Sequence, residues 1–401
     1  MIDDPRPAGE ATHLALTHTK LAEEQKRLER VLAAMGPAGD GPTLLVVGSI
    51  HGNEPAGYLA SQRVVFALTN RRQDLRGRVV FLVGNRRALA DRIRYVDRDL
   101  NRAWTHERVA LLRTGVSGDD HEDTEQLELL HEIDAVLEAA KGPVHLLDLH
   151  TTSGSGGAFS AVSDSLANRA IALQIPVPLV LGLEELVDGT LHDYLGSRGA
   201  LTLAFESGQH DEPRAVDRAE AAIWIMLAAT GIAPEGGYPE MATSRKLLWQ
   251  DTRTLPRVFE MRYRHPVLPG DDFVMREGYR NFQPITSGEA LADDRGGPVH
   301  APEDARLLMP LYQAQGTDGF FVVREFRPFW LHLSRALRVL RLNRIVHWAP
   351  GVRRHPDRPG AYLVNKRVAR WYALQLLHLL GFRKYKEAGD FLILLERHHD
   401  D

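Results

Sequence analysis

Five short apolar runs, each bounded by turn residues and set apart by helix-length stretches, constrain this chain more than any other feature. They are residues 44–48 (LLVVG), 79–83 (VVFLV), 144–149 (VHLLDL), 178–181 (PLVL) and 201–205 (LTLAF). A strand that is apolar along its whole length, rather than on alternate residues, is buried on both faces. Residues 57–68, 122–140, 163–174 and 214–230 read as the intervening helices. Residues 21–35 read as an amphipathic helix with Leu21, Leu28, Val31 and Leu32 on one side. This alternation predicts an α/β domain over residues 1–235: a mostly parallel or mixed sheet flanked by helices.

The texture then changes twice. Residues 236–243 (GGYPEMAT) read as a linker. Residues 244–325 are short segments punctuated by Gly, Pro and Asp, which predicts a smaller β domain. Residues 326–401 read as an α-rich terminal segment, with helices at 331–345 and 366–380 and a strand at 391–395. Basic residues far outnumber acidic ones between Arg324 and Arg370. We read this as a solvated face packed on the other domains; a surface for anionic partners is the alternative. Trp330, Trp348 and Trp371 fit packing better than nucleic-acid stacking, so no nucleic-acid partner is expected.

Composition narrows the chemistry. The 401 residues include no cysteine, which removes disulfides, thiolate-bound metal and a thiol nucleophile together. Any metal must use histidine and carboxylate ligands. The net charge of −4 gives no general attraction to polyanions. The start, MIDDPRPAGE, lacks the basic and apolar regions of a signal peptide, and no run is long enough for a membrane span. A cytoplasmic protein is expected, and a homo-oligomer is left open.

Chemistry-bearing residues cluster at the carboxyl ends of the strands, where open α/β sheets bind ligands. His51 and Glu54 follow the first run within GSIHGNE. Alone, the pair fits a loop histidine with a capping carboxylate as well as a metal half-site. His150, in DLHTT after the third run, supplies the matching half. Two histidines and a glutamate are the protein ligands of a catalytic zinc, with the fourth position left for water. Arginines and an asparagine gather in RYVDRDLNR (residues 94–102), suited to holding a carboxylate or an oxyanion. Glu206, in FESG after the fifth run, is either an arginine's partner or the general base that zinc hydrolysis needs.

HGNE, NRRA with RYVDRDLNR, DLHTT and FESG, in this order, resemble the succinylglutamate desuccinylase/aspartoacylase family of zinc carboxypeptidase-like hydrolases. The likeness covers roughly residues 43–230, and the region after 244 looks like the family's C-terminal domain. The resemblance implies one Zn²⁺ per chain on His51, Glu54 and His150. It implies that Asp99 hydrogen-bonds a ligating histidine and that Arg94 stabilises the oxyanion. Asn101 and Arg102 would bind a substrate carboxylate, and Glu206 would be base and then acid. The implied reaction is hydrolysis of an amide in an N-acyl amino acid or related small carboxylate-bearing substrate. The family often has another substrate-binding arginine before the catalytic glutamate, and Arg198 is the nearest here. Aspartoacylase also uses a C-terminal tyrosine, where this chain has phenylalanine at 320–321 and Tyr312 nearby.

Two other readings stand beside this one. A metallocarboxypeptidase would use the same ligands; a covered pocket favours short acyl-amino acids and an open cleft favours peptides. A non-catalytic binding protein on the same scaffold would have lost a ligand or the base, and none is missing. A serine hydrolase ranks below both, because there is no G-x-S-x-G elbow. The glycines at 154–157 read as a flexible turn, or as a shaper of the pocket entrance. They are no phosphate loop, because the following Lys and Ser/Thr are absent.

Overall fold

A computed structural model describes residues 28–70, 75–115, 120–358, 360–369, 377 and 379–396. In chain order the elements are β1 (Val31–Met35), β2 (Thr43–Gly48), α1 (Ala56–Asn70), β3 (Arg78–Val83), α2 (Arg86–Asp91), α3 (His106–Arg113), α4 (His121–Ala139), β4 (Val144–Thr152), β5 (Phe159–Val162), α5 (Leu166–Ala172), β6 (Leu179–Leu181), α6 (Leu191–Ser197), β7 (Leu201–Gln209), α7 (Pro213–Ala229) and α8 (Pro239–Thr252). There follow β8 (Val258–Pro266), β9 (Val274–Met275), β10 (Pro284–Ile285), β11 (Ala290–Asp294), β12 (Gly297–His300), β13 (Ala305–Leu308), β14 (Asp318–Glu325) and α9 (Pro328–Val339). The chain ends with β15 (Val352–Arg354), β16 (Ala361–Asn365), α10 (Lys366–Ala369), β17 (Phe382–Ala388) and β18 (Phe391–Glu396).

The apolar runs form the centre of an eleven-stranded mixed sheet, ordered β1-β3-β2-β4-β7-β5-β6-β8-β14-β13-β10. β3, β2, β4 and β7 are parallel, so their carboxyl ends share one rim. Alternate side chains supply two cores. Leu44, Val46, Leu147 and Leu203 face the layer that includes α1 and α7. Leu45, Val47 and Leu146 face Leu129 and Ile133 of α4 and Leu191 of α6. Burial on both faces is why these strands needed no polar alternation.

Three expectations change. Residues 31–35 are a strand rather than the end of a helix: β1 pairs antiparallel with β3 at the sheet edge, and residues 21–27 lie outside the described residues. The expected linker is largely helical, because Pro239 at the first helical position starts α8. The following β region continues the main sheet through β8, β14, β13 and β10, and adds the three-stranded sheet β12-β11-β9.

The terminal segment holds α9 and a four-stranded antiparallel sheet, β15-β16-β18-β17. The sequence reading had recognised one of these strands. The helix expected over 331–345 ends at Val339. Arg341 takes a left-handed conformation (φ 54°), and a 3₁₀ turn, Leu342–Trp348, follows. Of the helix expected over 366–380, residues 370–376 and 378 lie outside the described residues. No helix among the described residues is long and apolar enough to cross a membrane.

Candidate active site

The shared rim of β2, β4 and β7 brings the candidate residues together. After β2 the chain turns through residues 49–55 before α1 begins, and the turn is close-packed. A Cβ on Gly52 would lie 2.0 Å from the backbone carbon of Ala88, so only glycine fits. Gly52 N–H donates to the Arg94 carbonyl (3.1 Å), which ties this turn to the loop of residues 92–99. His51 and Glu54 are both buried there. β4 and β7 run beyond the apolar runs read from the sequence, so His150 and Glu206 sit within strands and are register partners.

Each histidine bridges two carboxylates. His51 Nδ1 lies 2.8 Å from Glu54 Oε1, and its Nε2 lies 3.0 Å from Asp99 Oδ1. His150 Nδ1 lies 3.1 Å from Glu54 Oε2, and its Nε2 lies 3.0 Å from Asp148 Oδ2. Ligand atoms of His51, Glu54 and His150 lie within 4.8 Å of one another. One nitrogen of each ring thus faces a common point while the other is held by a carboxylate, the usual support of a metal-binding imidazole. Burial alone would lower the His150 pKa, but Asp148 and Glu54 outweigh it and hold it well above the ordinary value. Burial would likewise raise Glu54, but His51 and His150 hold it well below the carboxylate range. Four carboxyl groups, buried Glu54 and Asp148 with half-buried Asp99 and Glu206, surround two imidazoles and Arg94. The convergence of two imidazole nitrogens and a carboxylate oxygen fits a divalent cation such as zinc.

Arg94 donates to Asp99 Oδ2 through Nε (3.2 Å) and a terminal nitrogen (3.0 Å), and approaches Glu54 Oε1 at 3.4 Å. Its loop hangs on a residue the sequence reading passed over. Glu122, buried at the start of α4, accepts from the N–H groups of Val96 (2.7 Å), Asp97 (2.9 Å) and Arg98 (3.3 Å). Asn101 is occupied at both ends of its amide: Oδ1 accepts from Leu191 N–H (2.9 Å), and Nδ2 lies 3.5 Å from His150 Nε2. Arg102 lines the cavity and pairs with Asp318 of β14 (2.7 Å), which Arg264 also holds.

Glu206 is half-buried, and desolvation of its carboxyl group pushes its pKa up to about 8, with His150 opposing and Glu54 reinforcing the shift. Its Oε2 has no hydrogen-bond partner among the described residues, and neither has Nε of Arg102. Both residues line a cavity of about 140 Å³. Residues 309–321 of the C-terminal β region, among them Met309, Leu311, Gln313 and Phe321, complete its wall. Gln313 also ties this wall to the turn that carries His51 and Glu54, accepting from Asn53 Nδ2 (2.7 Å) and contacting His210 Nε2 (2.9 Å).

Arg198 and Tyr312 are not brought in. Arg198 pairs with Asp134 and lies over the Tyr194 ring, away from the cavity. The Tyr312 hydroxyl donates to the Arg276 carbonyl (2.7 Å), and its side chain is absent from the cavity lining. The glycine turn at 154–157 is packed rather than loose: a Cβ on Gly156 (φ +140°) would lie 2.7 Å from Asn281 Cβ. Asp148, Glu122, Asp318 and Gln313 were missed. Only Asp148 left a sequence signal, lying two residues before His150 and so on the same strand face.

Residues 40–225 match the model of the succinylglutamate desuccinylase/aspartoacylase catalytic domain. No curated protein sequence matches the chain. Among solved structures, a succinylglutamate desuccinylase from Vibrio parahaemolyticus is 16% identical with a TM-score of 0.53, the match covering 77% of this chain and 95% of that one. One from Chromobacterium violaceum is 17% identical with a TM-score of 0.51, covering 77% and 98%. A succinylglutamate desuccinylase/aspartoacylase from Rhodobacter sphaeroides is 20% identical with a TM-score of 0.50, covering 72% and 87%. These likenesses establish the fold: a mixed sheet flanked by helices, with smaller C-terminal antiparallel sheets. Over residues 40–225, this chain is thus similar to the catalytic domain of the succinylglutamate desuccinylase/aspartoacylase family.

Proposed function

We propose that the protein hydrolyses the amide bond of an N-acyl amino acid or a related carboxylate-bearing amide, with one zinc ion held by His51, Glu54 and His150. The observation that carries this reading is Glu206 Oε2, a buried oxygen with no partner among the described residues, in the lining of the cavity beside His51, Glu54 and His150. Zinc bound there would supply Lewis acidity, polarising the scissile carbonyl and acidifying the attacking water. Glu206 takes a proton from that water as it adds to the carbonyl carbon. The C–N bond then breaks, Glu206 protonates the leaving nitrogen, and an acid and an amine result. Arg94, oriented by Asp99, faces the developing oxyanion, and Arg102 donates its free Nε–H to the substrate carboxylate. Asn101 steadies His150 and the turn before α6 as well as bordering the cavity.

The metallocarboxypeptidase alternative shares the ligands. The wall built by residues 309–321 favours a small acyl-amino acid over an extended peptide. The deciding experiment is metal analysis of the purified protein together with a panel of N-acyl amino acids and short peptides. About one zinc per chain with chelator-sensitive release of an amino acid is expected. Cleavage of peptides alone would transfer the assignment to a carboxypeptidase. Failure to bind zinc would remove the reading altogether.

A further inference from the structure

Helix α9 is assembled inside out. Its inward positions include two buried polar residues, Ser334 and Arg338. The Ser334 hydroxyl donates to the Leu379 carbonyl (2.8 Å). Arg338 donates to the Asp164 carbonyl (2.8 Å) and carboxylate (2.9 Å), and Asp164 is also held by Arg169. Leu331 and Leu337 pack on two different cores on either side of this polar seam. The helix is therefore fixed to the catalytic unit and cannot roll to bury its other face. That other face carries Phe329, Leu333, Ala336 and Leu340, spaced 4, 3 and 4 residues apart and so on one stripe. Phe329 is 64% exposed, Leu340 69% and the neighbouring Val339 62%. The 3₁₀ turn packed against α9 adds exposed Ile345 and Trp348, the latter 76% exposed.

Charge decides what covers this surface. Residues 327–358 contain eight arginines and a single acidic residue, Asp357, in a chain whose net charge is −4. Arg327, Arg335 and Arg344 are exposed among the apolar side chains. A two-fold contact with a second copy would place these arginines against themselves, which like-charge repulsion opposes. A nucleic acid would satisfy the arginines but not the aliphatic Leu340, Val339 and Ile345. A basic helix with Phe and Trp on an apolar stripe matches an interfacial membrane helix, which seats its apolar residues among headgroups and its arginines beside lipid phosphates. The sequence alone suggested a solvated face packed on the other domains, and the packed side is the one that Ser334 and Arg338 hold.

We infer that α9 and the turn after it form a peripheral docking surface for an anionic lipid bilayer, holding the enzyme at a membrane without crossing it. The test is flotation of the full chain with vesicles of phosphatidylcholine alone and of phosphatidylcholine mixed with phosphatidylglycerol. Binding to the mixed vesicles, with a blue shift in tryptophan fluorescence, is expected, along with weak binding to the neutral ones. Replacing Arg335 and Arg344 by glutamate should reduce that binding more than about tenfold, since each arginine near an anionic surface is worth about fivefold. Phe329→Ser with Trp348→Ser should abolish it while deacylase activity in solution is unchanged, because neither residue lines the cavity. Failure of the intact chain to bind anionic vesicles would overturn the inference. So would a dimer, or binding to nucleic acid, that is lost in the Phe329/Trp348 variant while vesicle binding is absent.

Discussion

His150 and Glu206 are register partners across the parallel β4–β7 ladder, so the imidazole of the candidate metal site and a carboxyl group with a raised pKa emerge side by side on one face of the sheet. Two adjacent backbones fix that spacing. It needs no loop to close, and it places the proton-transfer group beside the ligand set rather than within it. Glu206→Gln keeps the size and removes the proton acceptor. Metal content should stay as in the parent while kcat falls by about 10²–10⁴-fold, the usual contribution of a general base. Elemental analysis with steady-state kinetics on the same sample checks both halves. Retained turnover would exclude Glu206 as the base.

Arg102 and Asp318 give a pair of opposite expectations. Arg102 is the cavity arginine with an unused donor, and Asp318 partly neutralises it. Arg102→Ala should raise KM for carboxylate substrates by about 10–100-fold with a smaller change in kcat, as expected for loss of a charge-assisted hydrogen bond worth about 1.5–3 kcal/mol. Asp318→Asn keeps an acceptor for Arg102 but removes the competing charge, so KM for the same substrates should fall. If both variants shift KM in the same direction, Asp318 acts only by positioning Arg102.

His145 offers a measurement away from the site. It lies near the start of β4, buried, and burial lowers its pKa to about 4. An unfolded histidine titrates near 6.5, so between those values the unfolded chain binds a proton that the fold rejects. Stability should therefore be full above about pH 6.5 and decline as pH falls toward 4, with His145 contributing at most about 3 kcal/mol of that loss. Urea midpoints at pH 7 and pH 5 should converge in His145→Leu relative to the parent. Equal pH slopes in the two proteins would show that His145 does not drive the acid sensitivity.

The sequence carried the central sheet and the cluster of His51, Glu54, His150 and Glu206 because both are local signals. Runs 44–48 and 144–149 needed only their apolar character, and His51, Glu54, His150 and Glu206 each follow such a run within a few residues. β1 was hidden because Val31–Met35 continues an apolar spacing that also suits a helix, and only pairing with β3 decides between them. Asp318 and Gln313 were invisible for a different reason. Each meets a partner more than 200 residues away, Arg102 and Asn53, through the packing of the β region on the catalytic unit. No local pattern encodes that approach. The roles of Asn101 and Arg102 were likewise hard to separate by spacing. They are consecutive, yet one turns to His150 and Leu191 and the other to Asp318.

Glu122 shows how a residue outside the cavity can govern it. Its carboxylate takes three consecutive backbone N–H groups from residues 96–98, and Asn85 Nδ2 as a fourth donor (2.9 Å). Among the described residues no other side chain accepts from those amides, and a hydrogen bond to a charged group contributes about 1.5–3 kcal/mol. In Glu122→Ala the loop should therefore rearrange and carry Arg94 and Asp99 out of line, lowering kcat by more than about tenfold, since orientation of this kind is a large part of catalysis. Amide hydrogen exchange should rise at residues 94–102 before it rises in β2 or β4. Glu122→Gln retains an acceptor oxygen for part of the set and should recover a fraction of both the protection and the rate. If exchange rises uniformly across the sheet, Glu122 holds the fold as a whole, and its link to Arg94 has no special standing.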